Sequence, residues 1–233
     1  MTADQARPGE QLVPCRDLEA EIAHRRAAGF LLDAIFPADD PVVALMSRDG
    51  ERLRLHRADV SPPVRSNRIA ATTSFTSAPA GDGDWHVGRA GMHYRDLIAD
   101  RQGGGVIASH IAIPGGGEVP DSVHFHEVDF QLILCAAGWV EVVYEDQGPP
   151  FVLAPGDCVL QPPTIRHRVL SSSPGLEVVE LARPAMHETR FDHDLELPTG
   201  ELRRDREALI DPEVVKNCVA DLMKQQDMIH GPI

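Results

Sequence analysis

Between residues 85 and 183 the chain is cut into short apolar runs by glycine and proline, and this punctuation limits the folds open to it. Segments 92–98, 105–113, 131–135, 139–144, 151–153, 158–160, 167–170 and 176–181 are rich in Val, Ile and Leu and are bounded by turn residues. Such runs read as strands, and many in series predict an all-β fold, an antiparallel sandwich or jelly-roll barrel. Residues 131–135 (Gln-Leu-Ile-Leu-Cys) are nearly continuous in apolar character. That predicts a strand buried on both faces, one lining the barrel and the other packed on a second sheet or subunit. After residue 183 the strand pattern ends.

The flanks read differently. Residues 16–28 are a short helix candidate, with Asp17 near its start and Gly29 at its end. Asp49-Gly50 lies between strand-like runs 41–46 and 52–56, a tight-hairpin signal; the hairpin either extends the barrel or pairs with a partner subunit. Residues 59–84, rich in Ser, Thr, Pro, Ala and Gly, are expected to be an irregular connection. Asp211-Pro212-Glu213 carries the N-cap, first-turn proline and acidic first turn of a C-terminal helix. Its apolar stripe, Val214, Val215, Cys218, Val219, Leu222 and Met223, is expected to serve core or dimer packing. The expected organisation is an N-terminal extension over 1–84, a barrel over 85–183 and a C-terminal extension over 184–233. No internal repeat and no second His-x-His pair is present, so one barrel is expected.

The chemistry concentrates on histidine. Side chains alternate along a strand, so His124 and His126 point the same way and Phe125 the other. Imidazole suits Zn, Cu, Fe and Ni, and a third donor from another strand would complete an open site. His167 is the candidate: a Pro155-Gly156-Asp157 turn, a short apolar strand and a Pro162-Pro163 corner lead to it.

In these residues the chain resembles the cupins. Their first motif runs from Gly through His-x-His and Glu to Gly, and here it reads Gly117, His124, His126, Gln131 and Gly138. Their second reads here Gly156, Pro162 and His167. The resemblance covers about residues 104 to 182. It departs from the family pattern in three ways: Gln131 replaces the usual Glu, Thr164 replaces an internal Gly of the second motif, and the spacer before His124 is one residue longer. The resemblance implies a cupin-type jelly-roll barrel with metal ligands His124, His126, Gln131 and His167. Asp129 shares the strand parity of Gln131 and is the alternative ligand, and Gln131 could instead hydrogen-bond a bound water. Glu127 is expected at the surface or behind the ligands.

Three histidines and a neutral amide leave a divalent ion's charge uncompensated, which favours an enolate, carboxylate or other anionic ligand. Resemblance to three-histidine cupin dioxygenases implies an Fe(II) dioxygenase, with Mn, Ni, Co or Zn as other metals. A metal-dependent isomerase or lyase and a non-catalytic small-ligand-binding cupin are the alternatives. Tyr144, Glu141, Arg166 and His110 are candidates for proton transfer, substrate anchoring or support of the ligands. His56, His86, His93, His187, His193 and His230 have no motif support and are expected to be mostly exposed.

With 22 basic and 36 acidic residues the formal net charge is -14, which argues against non-specific nucleic-acid binding. The Arg25-Arg26 and Arg203-Arg204 pairs sit beside acidic residues and form no basic patch. Residues 1–5 lack the features of a signal peptide, no apolar run is long enough to span a bilayer, and a cytoplasmic location is expected. Cys15, Cys135, Cys158 and Cys218 form no Cys-x-x-Cys pair; Cys135 and Cys158 are expected to be buried packing residues. The partner set expected is a small-molecule substrate and a second copy of the chain, a homodimer.

Overall fold

The computed structural model describes residues 9–61, 75, 77, 79, 84–98 and 101–203. Most of the 59–84 connection lies outside the described residues, as do the expected C-terminal helix, Cys218 and His230. The described elements belong to one compact unit, residues 1–203.

The N-terminal elements are β1 (Glu10–Cys15), helix α1 (Leu18–Ala27), β2 (Leu31–Phe36), β3 (Val43–Arg48) and β4 (Glu51–Arg57). Then come β5 (His86–Val87), β6 (His93–Asp96), β7 (Ile107–Ile113), β8 (Gly117–Glu118), β9 (His124–His126) and β10 (Phe130–Ala137). The series ends with β11 (Val140–Tyr144), β12 (Phe151–Leu153), β13 (Cys158–Gln161), β14 (His167–Ser172), β15 (Leu176–Arg183) and β16 (Thr189–Phe191). The fold is all-β and of jelly-roll type. One sheet has ten strands, in the order β1-β4-β3-β2-β16-β9-β14-β11-β12 with β8 beside β14. The other has six, in the order β13-β10-β15-β7-β6-β5. Among the described residues, only the pairing of β1 with β4 is parallel.

Local chemistry explains the N-terminal elements. The Ala20 backbone N–H donates to Asp17 Oδ1 at 3.0 Å, capping α1, and Gly29 continues the chain at φ +89°. Leu18 is buried, and Ile22 packs with it against Phe30, Leu32, Met46, Leu53 and Leu55. Asp49 and Gly50 take φ 49° and 85°, the two positive angles that a two-residue hairpin needs between β3 and β4. The hairpin extends the large sheet.

Ile111, Val140, Val142, Tyr144, Leu153, Leu176 and Val178 pack between the sheets. Burying each of the aliphatic chains contributes roughly 1.5–3 kcal/mol.

Three expectations need correction. The strand pattern does not stop at 183: β16 pairs with β9 on one side and β2 on the other, joining the extension to the motif strands. β10 is not buried on both faces, because Gln131 and Cys135 face inward while Phe130 and Leu134 are exposed with Leu160 and Leu181. An unbroken apolar run cannot report that its outer face is uncovered. Cys158, on the same outer face opposite Leu134, is likewise exposed, whereas Cys135 is buried in the core.

Candidate metal centre

β9 and β14 are antiparallel neighbours, with His167 directly opposite His124. On the other side of β9, Thr189 of β16 lies opposite His126. This pairing brings the three imidazoles together although His126 and His167 lie 41 positions apart in the sequence. Their ring centroids are 4.2 to 5.2 Å apart, and one nitrogen from each lies within 4.8 Å of the others. All three residues are buried.

Each ring is held by its other nitrogen. His124 Nδ1–H donates to the Ser122 carbonyl at 2.8 Å and His167 Nδ1–H to the Ile165 carbonyl at 3.0 Å. A carbonyl only accepts, so in these two rings the proton sits on Nδ1 and Nε2 keeps its lone pair. His126 Nδ1 engages Thr189 Oγ1 at 3.0 Å, and Thr189 is fully buried. Burial, reinforced by the Arg89 guanidinium, holds the His124 pKa well below the ordinary range. Burial and the neighbouring imidazoles do the same to His126, and burial brings His167 down to about 4. The rings are therefore neutral at physiological pH, the state a metal requires. His124 Nε2 is buried without a hydrogen-bond partner among the described residues. Such an atom costs free energy unless something fills the space it faces. A divalent metal ion fits this donor set: His124, His126 and His167 would hold it, each oriented by a second hydrogen bond.

The loop entering β14 has a feature of its own. Thr164, at the position of the motif's internal glycine, takes φ 61°, the left-handed region that glycine favours. Gly138, which ends the first motif, also has positive φ, and a Cβ there would press on Ser173 and Leu176.

His126 and His167 face a cavity of about 100 Å³. His126, His167, Gln131, Tyr144, Gln161, Glu180, Asp39, Arg89 and His187 give its polar lining, and aliphatic side chains such as Ile133, Val142 and Val178 give the rest. Gln131 is buried and donates from Nε2 to Glu180 Oε1 at 2.5 Å. Tyr144 stacks on the His167 ring with centroids 5.3 Å apart, and its hydroxyl accepts from Gln161 Nε2 at 2.5 Å.

The other sequence candidates stand elsewhere. Glu141 accepts from Ser171 Oγ at 3.0 Å and does not line the cavity. Arg166 reaches Asp192 at 3.1 Å and covers the Phe125 ring at 4.5 Å. His110 is on the outward side of β7, 2.9 Å from Glu177 and against Trp85. Asp129 belongs neither to the histidine cluster nor to the cavity lining. Glu127 pairs with Arg190 at 2.5 Å.

Sequence reasoning missed four groups. His187, expected at the surface, is buried; it donates from Nδ1 to the Pro184 carbonyl at 2.9 Å and meets His126 edge-on at 5.5 Å. Of the other motif-free histidines, His56, His86 and His93 are half-buried and His193 is exposed. Glu180 is buried, and burial raises its pKa against the opposing Gln131 hydrogen bond. Arg89 and the buried Asp121 form an ion pair beside His124. Asp121 also accepts from the Ser122 and Val169 N–H groups, each at 3.0 Å, tying the loop before β9 to β14.

Residues 109–181 match the family model of the cupin domain. No curated protein matches the chain. Among solved structures, it is similar to an RmlC-like cupin from Shewanella frigidimarina, at 21% identity over 48% of this chain and 93% of that one, with a TM-score of 0.40. The polyketide cyclase RemF from Streptomyces resistomycificus is 19% identical over 53% of this chain and 89% of its own, with a TM-score of 0.44. KdgF from Halomonas sp. is 22% identical over 48% and 94%, with a TM-score of 0.38. The family match over 109–181, with both metal-site motifs inside it, identifies this part of the chain as a cupin domain.

Proposed function

We propose that the protein is a non-haem Fe(II) dioxygenase acting on a small enolizable or anionic substrate, with Mn, Ni, Co or Zn as the other metals the donors would accept. The observation that carries this reading is the set of three neutral imidazoles, each tied at Nδ1 and clustered within reach of one ion, two of which, His126 and His167, line a largely apolar cavity. Gln131 is proposed as the fourth donor through its amide oxygen. When bound, ferrous iron supplies Lewis acidity and redox chemistry with dioxygen.

The chain's own residues define what the substrate meets. A cavity of about 100 Å³ has room for a small molecule. Gln161 Oε1 is buried without a hydrogen-bond partner among the described residues, so it is available to accept from a hydroxyl such as that of an enol. Tyr144 holds that amide in place and is the candidate for proton handling beside His167. The aliphatic walls keep water away from a reactive anion.

The protein is further proposed to be cytoplasmic and to work as a homodimer. Among the described residues no helix is long and apolar enough to cross a membrane. The outward face of the six-stranded sheet exposes Phe130, Leu134, Leu160 and Leu181, and Leu160 is 60% exposed. A second copy would cover this stripe, and sedimentation of wild type against Leu160→Lys tests it.

The functional test is elemental analysis of protein purified without an affinity tag, anaerobic reconstitution with Fe(II), and an oxygen-uptake screen with 1,3-dicarbonyl and hydroxyketone compounds. Oxygen consumption lost in His124→Ala is the expected result. Turnover without oxygen would make the protein an isomerase or lyase, and binding without turnover a ligand-binding cupin. Absence of stoichiometric metal in every preparation would overturn the reading.

A further inference from the structure

A carboxylate at the fourth motif position offers oxygen to a metal whichever way its head is turned. An amide does not, because one side of its head is an oxygen and the other an NH2 group with no lone pair to give. A chain that carries Gln131 there must therefore hold the amide in one of two orientations. Glu180 stands where it can do this. It lies on β15 opposite Ile133, so it shares the inward face of β10 with Gln131. It is 8% exposed and lines the same cavity as His126 and His167. Its Oε1 accepts from Gln131 Nε2 at 2.5 Å. As an acceptor, Oε1 meets the nitrogen side of the amide and turns the amide oxygen away from Glu180.

We propose that Glu180 is a positioning residue for the metal centre: by binding the Gln131 NH2 group it leaves the amide oxygen as what Gln131 offers to the histidine cluster. Gln131 and Glu180 then do together what one glutamate does alone in the family motif. This inference rests on the metal-binding reading above and says which residue, beyond the motif, that reading depends on.

The test uses the full chain, metal-free, titrated with Co(II) and Zn(II) against a competing chelator, with the visible spectrum of the Co(II) form as a second readout. Glu180→Leu removes the acceptor at nearly constant volume and is expected to weaken metal binding about 10–100-fold and to alter the Co(II) bands. The double variant Q131E/E180L should recover affinity to within a few-fold of wild type, since a carboxylate at 131 needs no orienting partner. If Glu180→Leu does not fold, judged by circular dichroism of the metal-free protein, Glu180→Gln takes its place. It can present either oxygen or NH2 to Gln131, so a smaller loss of affinity and a heterogeneous Co(II) spectrum are expected. Wild-type affinity and spectrum in the folded Glu180 variant would overturn the inference, as would failure of Gln131→Glu to rescue. A wild-type chain that binds neither ion would overturn the metal reading itself, a result distinct from either of those.

Discussion

Mild acidification should destabilise the metal-free protein through its buried imidazoles. A buried imidazole whose folded pKa lies below its unfolded one takes up its proton more readily once the chain unfolds. The stability tied to it is complete above the unfolded value of 6.5 and is lost as pH falls toward the folded value. For His167 that window runs from 6.5 to about 4. At about pH 5, one and a half units into the window at 1.36 kcal/mol per unit, His167 alone removes about 2 kcal/mol. That corresponds to a fall in Tm of roughly 4–8 °C for a chain of this size. His124 and His126 are also held low by burial and add to the loss in the same direction. Glu180 acts with the opposite sign: burial raises its pKa, so its contribution grows as pH falls from neutrality and offsets part of the effect. Comparison with His167→Gln removes this complication, because Glu180 and the surface carboxylates titrate in both proteins. The assay is urea unfolding of chelator-treated protein, followed by tryptophan fluorescence, at several values between about pH 7.5 and pH 5. Wild type should lose about 2 kcal/mol more than His167→Gln across that range, and saturating metal should suppress the difference. Parallel pH profiles for the two proteins would refute the claim that the His167 ring is buried as a neutral donor.

Three further outcomes follow from particular contacts. Thr164→Gly should stabilise the protein by about 1 kcal/mol, because relief of a left-handed, β-branched residue exceeds the added freedom of glycine in the unfolded chain; thermal denaturation should show a rise of roughly 2–4 °C. Asp121→Ala should cost about 3–5 kcal/mol in chemical denaturation, since it strands the Arg89 guanidinium and frees two backbone N–H groups. Tyr144→Phe leaves the Gln161 NH2 group without its acceptor and should cost about 1–3 kcal/mol. Calorimetric metal titration of that variant should stay at wild-type stoichiometry while any turnover falls.

Short-range chemistry made much of the fold readable in advance. The Asp17 cap, the Asp49-Gly50 turn and the alternation of His124 with His126 act within a few residues, and each has the expected form. The conversion of strand parity into a cavity wall was less legible, because parity separates the two faces of a strand without saying which face is inside. His110 shows the difficulty. Ala108 and Ala112, two residues away on either side, are small enough to leave space beside it, yet all three share the outward face of β7, where His110 meets Trp85, Arg95 and Glu177.

Glu180 is the same problem in reverse. Residues 176–183 read Leu-Glu-Val-Val-Glu-Leu-Ala-Arg, with Glu177 and Glu180 on opposite faces of one strand. Nothing local distinguishes them. The choice is made by pairing with β10, where a register shift between Cys135 and Ala137 accompanies the alignment of Ile133 with Glu180. A slip of one residue would bury Glu177 and expose Glu180. The inward acid is therefore selected by a long-range pairing, and Gln131 at the motif position is its visible trace. An amide where the family carries a carboxylate implies that something else must settle which way that amide faces.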